Sequence, residues 1–343
     1  MNKRLGDSTF IFQTPPAIQA GASIVGPKEG QGPLGQLFDV VENNPMLDKK
    51  TWEEAESGFQ EKAAAKVLEK SGLTSNQIDC IFCGDLLGQL IATSFGIASI
   101  YRPVLGLYGA CSTIGEALML AAAHVDGGFA RHCIAMTSSH FASAERQFRF
   151  PLEYGNQRPL AATWTVTGSG AFIVSTANDS TRHKARITSA TPGKIIDYGV
   201  RDSMNMGACM APAACDTIDT HLRDTKTTPD DYDYIITGDL GSVGHDILID
   251  LMQQRGFDIR RQHMDCGMEI FDANTQDTHA GGSGCGCSAV TLAAYILPRL
   301  ESGEWKKILF CPTGALLSPI SFNEGKSVPG IAHAITIEAP GKH

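Results

Sequence analysis

The stretch ACSTIGEALMLAAAHVDGGFARHCIAMTSS (110–139) lies without a gap over GCSAVTLAAYILPRLESGEWKKILFCPTGA (286–315). Cys111 falls on Cys287, Ser112 on Ser288 and Thr137 on Thr313. Each copy reads as a turn of small residues, an amphipathic helix, a polar glycine turn and a short apolar strand ending in Thr. A second match, IFCGDLLG (81–88) over IITGDLGS (235–242), follows the same order and ends each strand in Gly-Asp-Leu. Two matches in one order describe a duplicated chain.

The rest of the chain extends the pattern. Strands are expected at 8–13, 79–83, 131–137 and 167–176. A helix is expected at 51–71, with Thr51 and Glu54 forming a capping box and Gly72 stopping it. The second half reads as helices at 203–223, 243–255 and 287–302 and strands at 234–238, 307–312 and 331–338. Strands alternating with helices imply mixed α/β sheets covered by helices. The polar run ANDSTRH (177–183) sets the expected boundary, giving halves of 1–180 and 181–343.

Composition limits the function. Apolar residues are 43% and charged residues 19%, which suits a large buried core. The net charge of −9 argues against nucleic acid, whose binding needs basic surface. No apolar run reaches the ~20 residues of a membrane-spanning helix, and the start MNKRLGDSTFIFQTPP lacks the core of a signal peptide. The ten cysteines therefore read as reduced intracellular thiols.

Cys111 is the chemical candidate. In LGLYGACSTIGE (105–116) an apolar strand runs into Gly-Ala-Cys and a helix begins at once. A thiol at a helix start is favoured as thiolate by the dipole and free N–H groups. The competing reading is a small buried thiol where helix and strand pack closely.

Tandem βα repeats with a Cys in the first strand-to-helix turn resemble the thiolase superfamily, whose sites lie between the halves. Nearly the whole chain further resembles the stage V sporulation protein AD family. The matching stretches include GPKEGQGPLGQLFD (26–39), CGDLLGQ (83–89), YGACST (108–113), TSSHFASAERQFRFP (137–151), MAPAACDTI (210–218) and AGGSGCGCSAV (280–290). The resemblance implies a thiolase-like fold, two duplicated halves in a five-layer α/β/α/β/α stack. It also implies a protein of endospore formers that binds dipicolinic acid, or its calcium chelate. Its partners would be the SpoVA membrane proteins, it would pair as a homodimer, and it would sit in the developing spore at the inner membrane.

The chain departs from a working condensing enzyme. Such enzymes pair the Cys with His and Asn, or two His, from the second half. The matching places here are Gly238-Asp239-Leu240-Gly241 and Ala280-Gly281-Gly282-Ser283-Gly284, which hold neither His nor Asn. An Asp would repel the oxyanion that a catalyst must stabilise. The expectation is a scaffold that binds without turnover; the alternative is an acyltransferase or condensing enzyme using Cys111.

A flat aromatic dianion needs cationic or N–H donors and ring contact. Candidates are the helix start at Cys111 and Ser112, the turn Ser138-Ser139-His140, Asp85 at a strand end, Gly282 and Ser283, and Arg146 in the loop ERQFRF (145–150). No cofactor or resident metal is expected, only calcium carried by the ligand. Gly30 to Gly35 matches a GxGxxG string, but Pro33 lies inside it and no strand leads into it. Cys80 and Cys83 share a strand and so face opposite ways. Cys285-Gly286-Cys287 lacks a second ligand pair for zinc.

Overall fold

The computed structural model describes residues 3–148, 157–177 and 184–341. Ten strands carry the architecture: β1 (Ala17–Val25), β2 (Cys80–Asp85), β3 (Val104–Leu107), β4 (His132–Ser139) and β5 (Gly168–Ser175) in the first half. Their counterparts are β6 (Ala185–Thr191), β7 (Tyr234–Thr237), β8 (His263–Asp265), β9 (Lys307–Cys311) and β10 (Ala334–Glu338). The first set is ordered β3-β2-β4-β5-β1 and the second β8-β7-β9-β10-β6. In each, the first three strands are parallel and the fourth is antiparallel to both its neighbours. The duplication is therefore one of topology as well as sequence. The two sets join where β1 meets β6 antiparallel, Ile18 opposite Ala185.

Seven helices cover and separate the sheets: α1 (Trp52–Ser71), α2 (Ile91–Gly96), α3 (Thr113–Asp126), α4 (Phe141–Phe148), α5 (Met206–Thr225), α6 (Gly241–Gln254) and α7. The last runs through Cys285–Thr291, a π-helical turn Leu292–Ile296 and Leu297–Ser302. Three apolar clusters define the layers. One lies between α1 and the outer face of the first sheet, with Phe59, Val67, Ile81 and Ile173. Another lies between α5, α6 and the second sheet, with Ile218, Leu248, Ile235 and Leu309. The largest fills the middle, where Ile114 and Leu118 of α3 and Val290 and Ile296 of α7 meet Phe172 and Phe310. Helix, sheet, helix pair, sheet, helix pair is the five-layer stack expected.

Local rules explain the elements that sequence placed. Thr51 and Glu54 make the reciprocal capping box, and Gly72 ends α1 in the left-handed region at φ 71°. Cys80 and Cys83 fall on opposite faces of β2: Cys80 borders the middle cluster and Cys83 lies in the outer one. No helix among the described residues is long and apolar enough to cross a membrane.

Two readings change. The helix expected over 287–302 begins at Cys285, ahead of Ala289, the residue that the ungapped match pairs with Thr113 at the start of α3. Cys287 thus lies inside its first turn, its thiol toward Gly238 O at 3.5 Å, and is not the counterpart of Cys111. The strand ladders also shift the match by a residue: Ile81 stands opposite Ile134, and Ile235 opposite Leu309 rather than Phe310. An extra turn's worth of chain in α7, including the π turn, absorbs the difference. Second, residues expected as a loop at 145–150 belong to α4 as far as Phe148; Arg149 and Phe150 lie outside the described residues, as does most of the boundary run 177–183.

Candidate functional site: a closed crevice at Cys111

Cys111 sits at the junction of the halves. Ala110 adopts φ 50°, a conformation a non-glycine residue rarely holds, and swings the chain from β3 into α3. The turn ties itself together. Ser112 Oγ donates to Gly109 O at 2.6 Å and Thr113 Oγ1 to Ala110 O at 2.6 Å. The backbone N–H groups of Ser112 and Thr113 also donate to Gly109 and Ala110 carbonyls. The anion site expected of Ser112 at this helix start is thus largely spent on its own turn.

Across from the thiol comes the second half. Ser283 Oγ lies 4.0 Å from Cys111 Sγ and donates to Asp239 Oδ2 at 3.0 Å. Asp239 also accepts from Gly284 N (3.1 Å) and Thr313 Oγ1 (2.7 Å). Gly282 and Ser283 form a two-residue strand paired with Trp164 and Thr165. A side chain at Gly282 would strike Ile270, its Cβ 2.6 Å away. On the far side Cys285 donates to Ala110 O at 2.9 Å.

The electrostatics oppose a thiolate. Burial pushes the Cys111 thiol well up, and the charges of Asp239 and Cys285 push it further. Asp239 is itself fully buried, its carboxyl raised by burial to about 6 despite three donors. Among the described residues, no imidazole or amide side chain lines the space beside the sulfur. The cavity holds only about 30 Å³, room for about one water, between Leu86, Tyr108, Phe148, Thr165, Met206 and Leu317.

Other expected residues part company here. The ends of β2 and β4 are neighbours, Asp85 opposite Ser138, but side chains alternate along a strand. Asp85 accepts from Leu87 N (2.8 Å), Thr93 N (2.7 Å) and Thr93 Oγ1 (2.5 Å), holding the chain that leads into α2. Ser138 faces α1, donating to Glu56 at 2.8 Å and accepting from Gln60 at 2.8 Å. His140 lies between Trp52 and Phe59 with Nε2 on Pro45 O at 2.9 Å. Ser139 alone turns inward, accepting from Gly286 N (3.0 Å) and donating to Val166 O (2.7 Å). Of the expected residues only Cys111 and Ser283 line the cavity; Asp85, Ser112, Ser138, Ser139, His140 and Gly282 do not.

Arg146 reaches a different opening. It pairs with Glu53 in an outer opening of about 800 Å³ that Lys49, Lys50 and Phe95 also line, and it borders a second outer groove of about 400 Å³ with Gln147, Phe148, Ser318, Phe322 and Asn323. Phe148 and Leu317 wall both this groove and the Cys111 cavity, so the two spaces share a partition. Sequence reading missed Tyr108, Thr165, Met206 and Leu317. Tyr108, directly before the Gly-Ala-Cys turn, carried the one available signal.

A profile of the family described as stage V sporulation protein AD matches residues 6–338. The stage V sporulation protein AD of Bacillus subtilis strain 168 is 44% identical over 339 residues, covering 99% of both chains. Solved structures at low identity share the fold. OleA of Xanthomonas campestris superposes with TM-score 0.61 at 14% identity, over 96% of this chain and 99% of that one. Human mitochondrial 3-ketoacyl-CoA thiolase gives 0.59 at 12% identity, over 96% and 99%. The 3-oxoacyl-[acyl-carrier-protein] synthase III of Aquifex aeolicus gives 0.57 at 12%, over 94% and 99%. A thiolase-like frame whose cysteine faces a carboxylate, matched end to end by one sporulation profile, places this chain in the stage V sporulation protein AD family.

Proposed function

We propose that the protein binds dipicolinic acid, free or as its calcium chelate, without turning it over, and serves its passage through the SpoVA membrane proteins into and out of the spore. The observation that carries the non-catalytic part is the contact of Cys111 with the Ser283–Asp239 pair. A condensing enzyme needs a donor for its oxyanion and a base for its thiol. A buried carboxylate is no donor for an oxyanion, and its charge disfavours the thiolate.

The ligand belongs in the outer groove and, after Phe148 and Leu317 part, against Cys111. The groove is bordered by Arg146, whose guanidinium would exchange Glu53 for a ligand carboxylate, and offers ring faces in Phe148 and Phe322, which suit a flat dianion. As it stands, the inner cavity is too small for a pyridine ring. Calorimetric titration with dipicolinate tests this. Arg146→Ala should weaken binding by roughly 30- to 1000-fold, the ~2–4 kcal/mol of a lost charged contact. Cys111→Ala should weaken it only mildly. Unchanged affinity in both folded variants would place the ligand elsewhere.

One observation favours the enzymatic alternative, the left-handed Ala110 that presents Cys111 at a sharp turn. Burst acylation of Cys111 by an acyl-CoA, followed by turnover, would establish it.

The edge of the first sheet supports the homodimer. Among the described residues, β3 has a partner on one side only. Val104, Leu105 and Tyr108 are exposed there, with Ile91 and Phe95 of α2 and Tyr101 beside them. A bare apolar edge strand invites pairing, and a second copy would cover it.

A further inference from the structure

On the other side of the short strand from the Cys111 cavity, one indole carries two cations. Thr165 lines the cavity, so its neighbour Trp164 faces away from it. Trp164 stacks flat on Phe141, ring centroids 3.8 Å apart at 6°. Lys28 Nζ stands 4.2 Å from the indole centroid and Arg158 Cζ 4.9 Å. The Arg158 side chain is only 3% exposed. Its Nη2 donates to Asp277 O (2.8 Å) and Oδ2 (3.0 Å). Its Nη1 is buried and has no hydrogen-bond partner among the described residues.

The counter-charge is thin. Asp277 is 77% exposed, so water screens it. Lys28 gives one N–H to Gln276 O at 2.5 Å. Burial and then the neighbouring Arg158 lower the Lys28 pKa, as expected of two cations forced together. Glu29, the next residue, is buried and raised to about 7 by that burial, so it is a weak counter-ion. A buried guanidinium with an orphaned N–H beside a second cation is costly unless an anion joins it.

We propose that Lys28 and Arg158 form a second anion site, separate from the Cys111 crevice, which takes the carboxylate or phosphate group of a small molecule beside Trp164. The planar fork of Arg158 matches either oxyanion, and Lys28 supplies a point charge. The indole sets the depth and reports occupancy.

The test titrates inorganic phosphate and malonate, at constant ionic strength, into the full chain while following tryptophan fluorescence and melting temperature. Wild type should show a saturable fluorescence change, with a rise in melting temperature that follows mass action. A response to phosphate alone assigns a phosphoryl ligand, and one to malonate alone a carboxylate; either supports the site. Arg158→Gln and Lys28→Gln should each weaken the response at least about tenfold. Lys28→Gln should bind dipicolinate as wild type does, which separates this site from the crevice. If Arg158→Gln does not fold, Lys28→Gln decides alone, because it removes only a partly exposed amine. No saturable response in wild type to either anion, or a response that the variants keep, overturns the proposal.

Discussion

The thiol of Cys111 meets a buried carboxylate where a nucleophile would need an imidazole, and the consequences are measurable at single residues. Asp239→Asn removes the charge that opposes the thiolate while keeping the size. Iodoacetamide labelling of Cys111 at pH 8, followed by peptide mass spectrometry, should then run about tenfold faster than in wild type. An unchanged rate would mean that burial alone silences the sulfur. Glu56 gives a pH signature. It is fully buried and accepts from Ser138 and Ser143, both at 2.8 Å, with its carboxyl raised to about 8 by burial and then by Asp85. Its folded value lies above its unfolded value near 4.5, so the folded state holds the extra proton between them. Stability therefore falls as pH rises from about 4.5 to about 8. Glu56→Gln should flatten that fall, read as melting temperature at pH 5 and pH 8.5. A parallel slope in both proteins would show that Glu56 is ionised at neutral pH. Sequence could nominate Cys111 because a strand, a small-residue turn and a helix meet there. It could not sort Asp85, Ser138 and His140 from Ser139, because that needs the strand register. One residue's difference along β4 decides between facing α1 and facing the start of α7.

Elements whose limits are chemically punctuated were legible. Thr51, Glu54 and Gly72 bracket α1, and Thr51→Ala should cost about 1 kcal/mol in urea unfolding. No loss would mean that the cap is redundant with the packing of Phe59 and Val67. β1 was missed because AIQAGASIV has Ala and Gly where a strand is expected to carry branched residues. Burial on both faces explains that choice: Ala20 and Ala22 pack in the outer cluster, and a Cβ at Gly21 would come within 2.9 Å of Leu297 and 3.2 Å of Phe172. β8 spans only three residues, too few to show a period. The end of α4, from Glu145 to Phe148, was read as a loop because a helix of eight residues is too short to show its period against the charges and rings that follow. The ungapped match misled over Cys287 for a related reason. Helix periodicity tolerates an inserted π turn without losing its apolar face, so sequence similarity alone could not reveal the slip.

At the scale of the molecule, the same strand order in both halves places the crevice at their junction and buries the largest apolar cluster between them. Phe172 lies at its centre, and Phe172→Ala should destabilise by about 3–5 kcal/mol in denaturant titration. A loss below about 1 kcal/mol would show that the middle layer is loosely packed. The exposed β3 edge predicts a dimer, and Leu105→Lys should shift sedimentation toward the 36.6 kDa monomer. A monomeric wild type would refute the pairing. The central claim, a thiolase-like frame that holds dipicolinate without covalent chemistry, is tested most directly by native mass spectrometry of the wild-type protein with dipicolinate. The account predicts one added dipicolinate per chain, lost completely when the same sample is denatured. No ligand-bound species at millimolar dipicolinate, or added mass that survives denaturation, would contradict it.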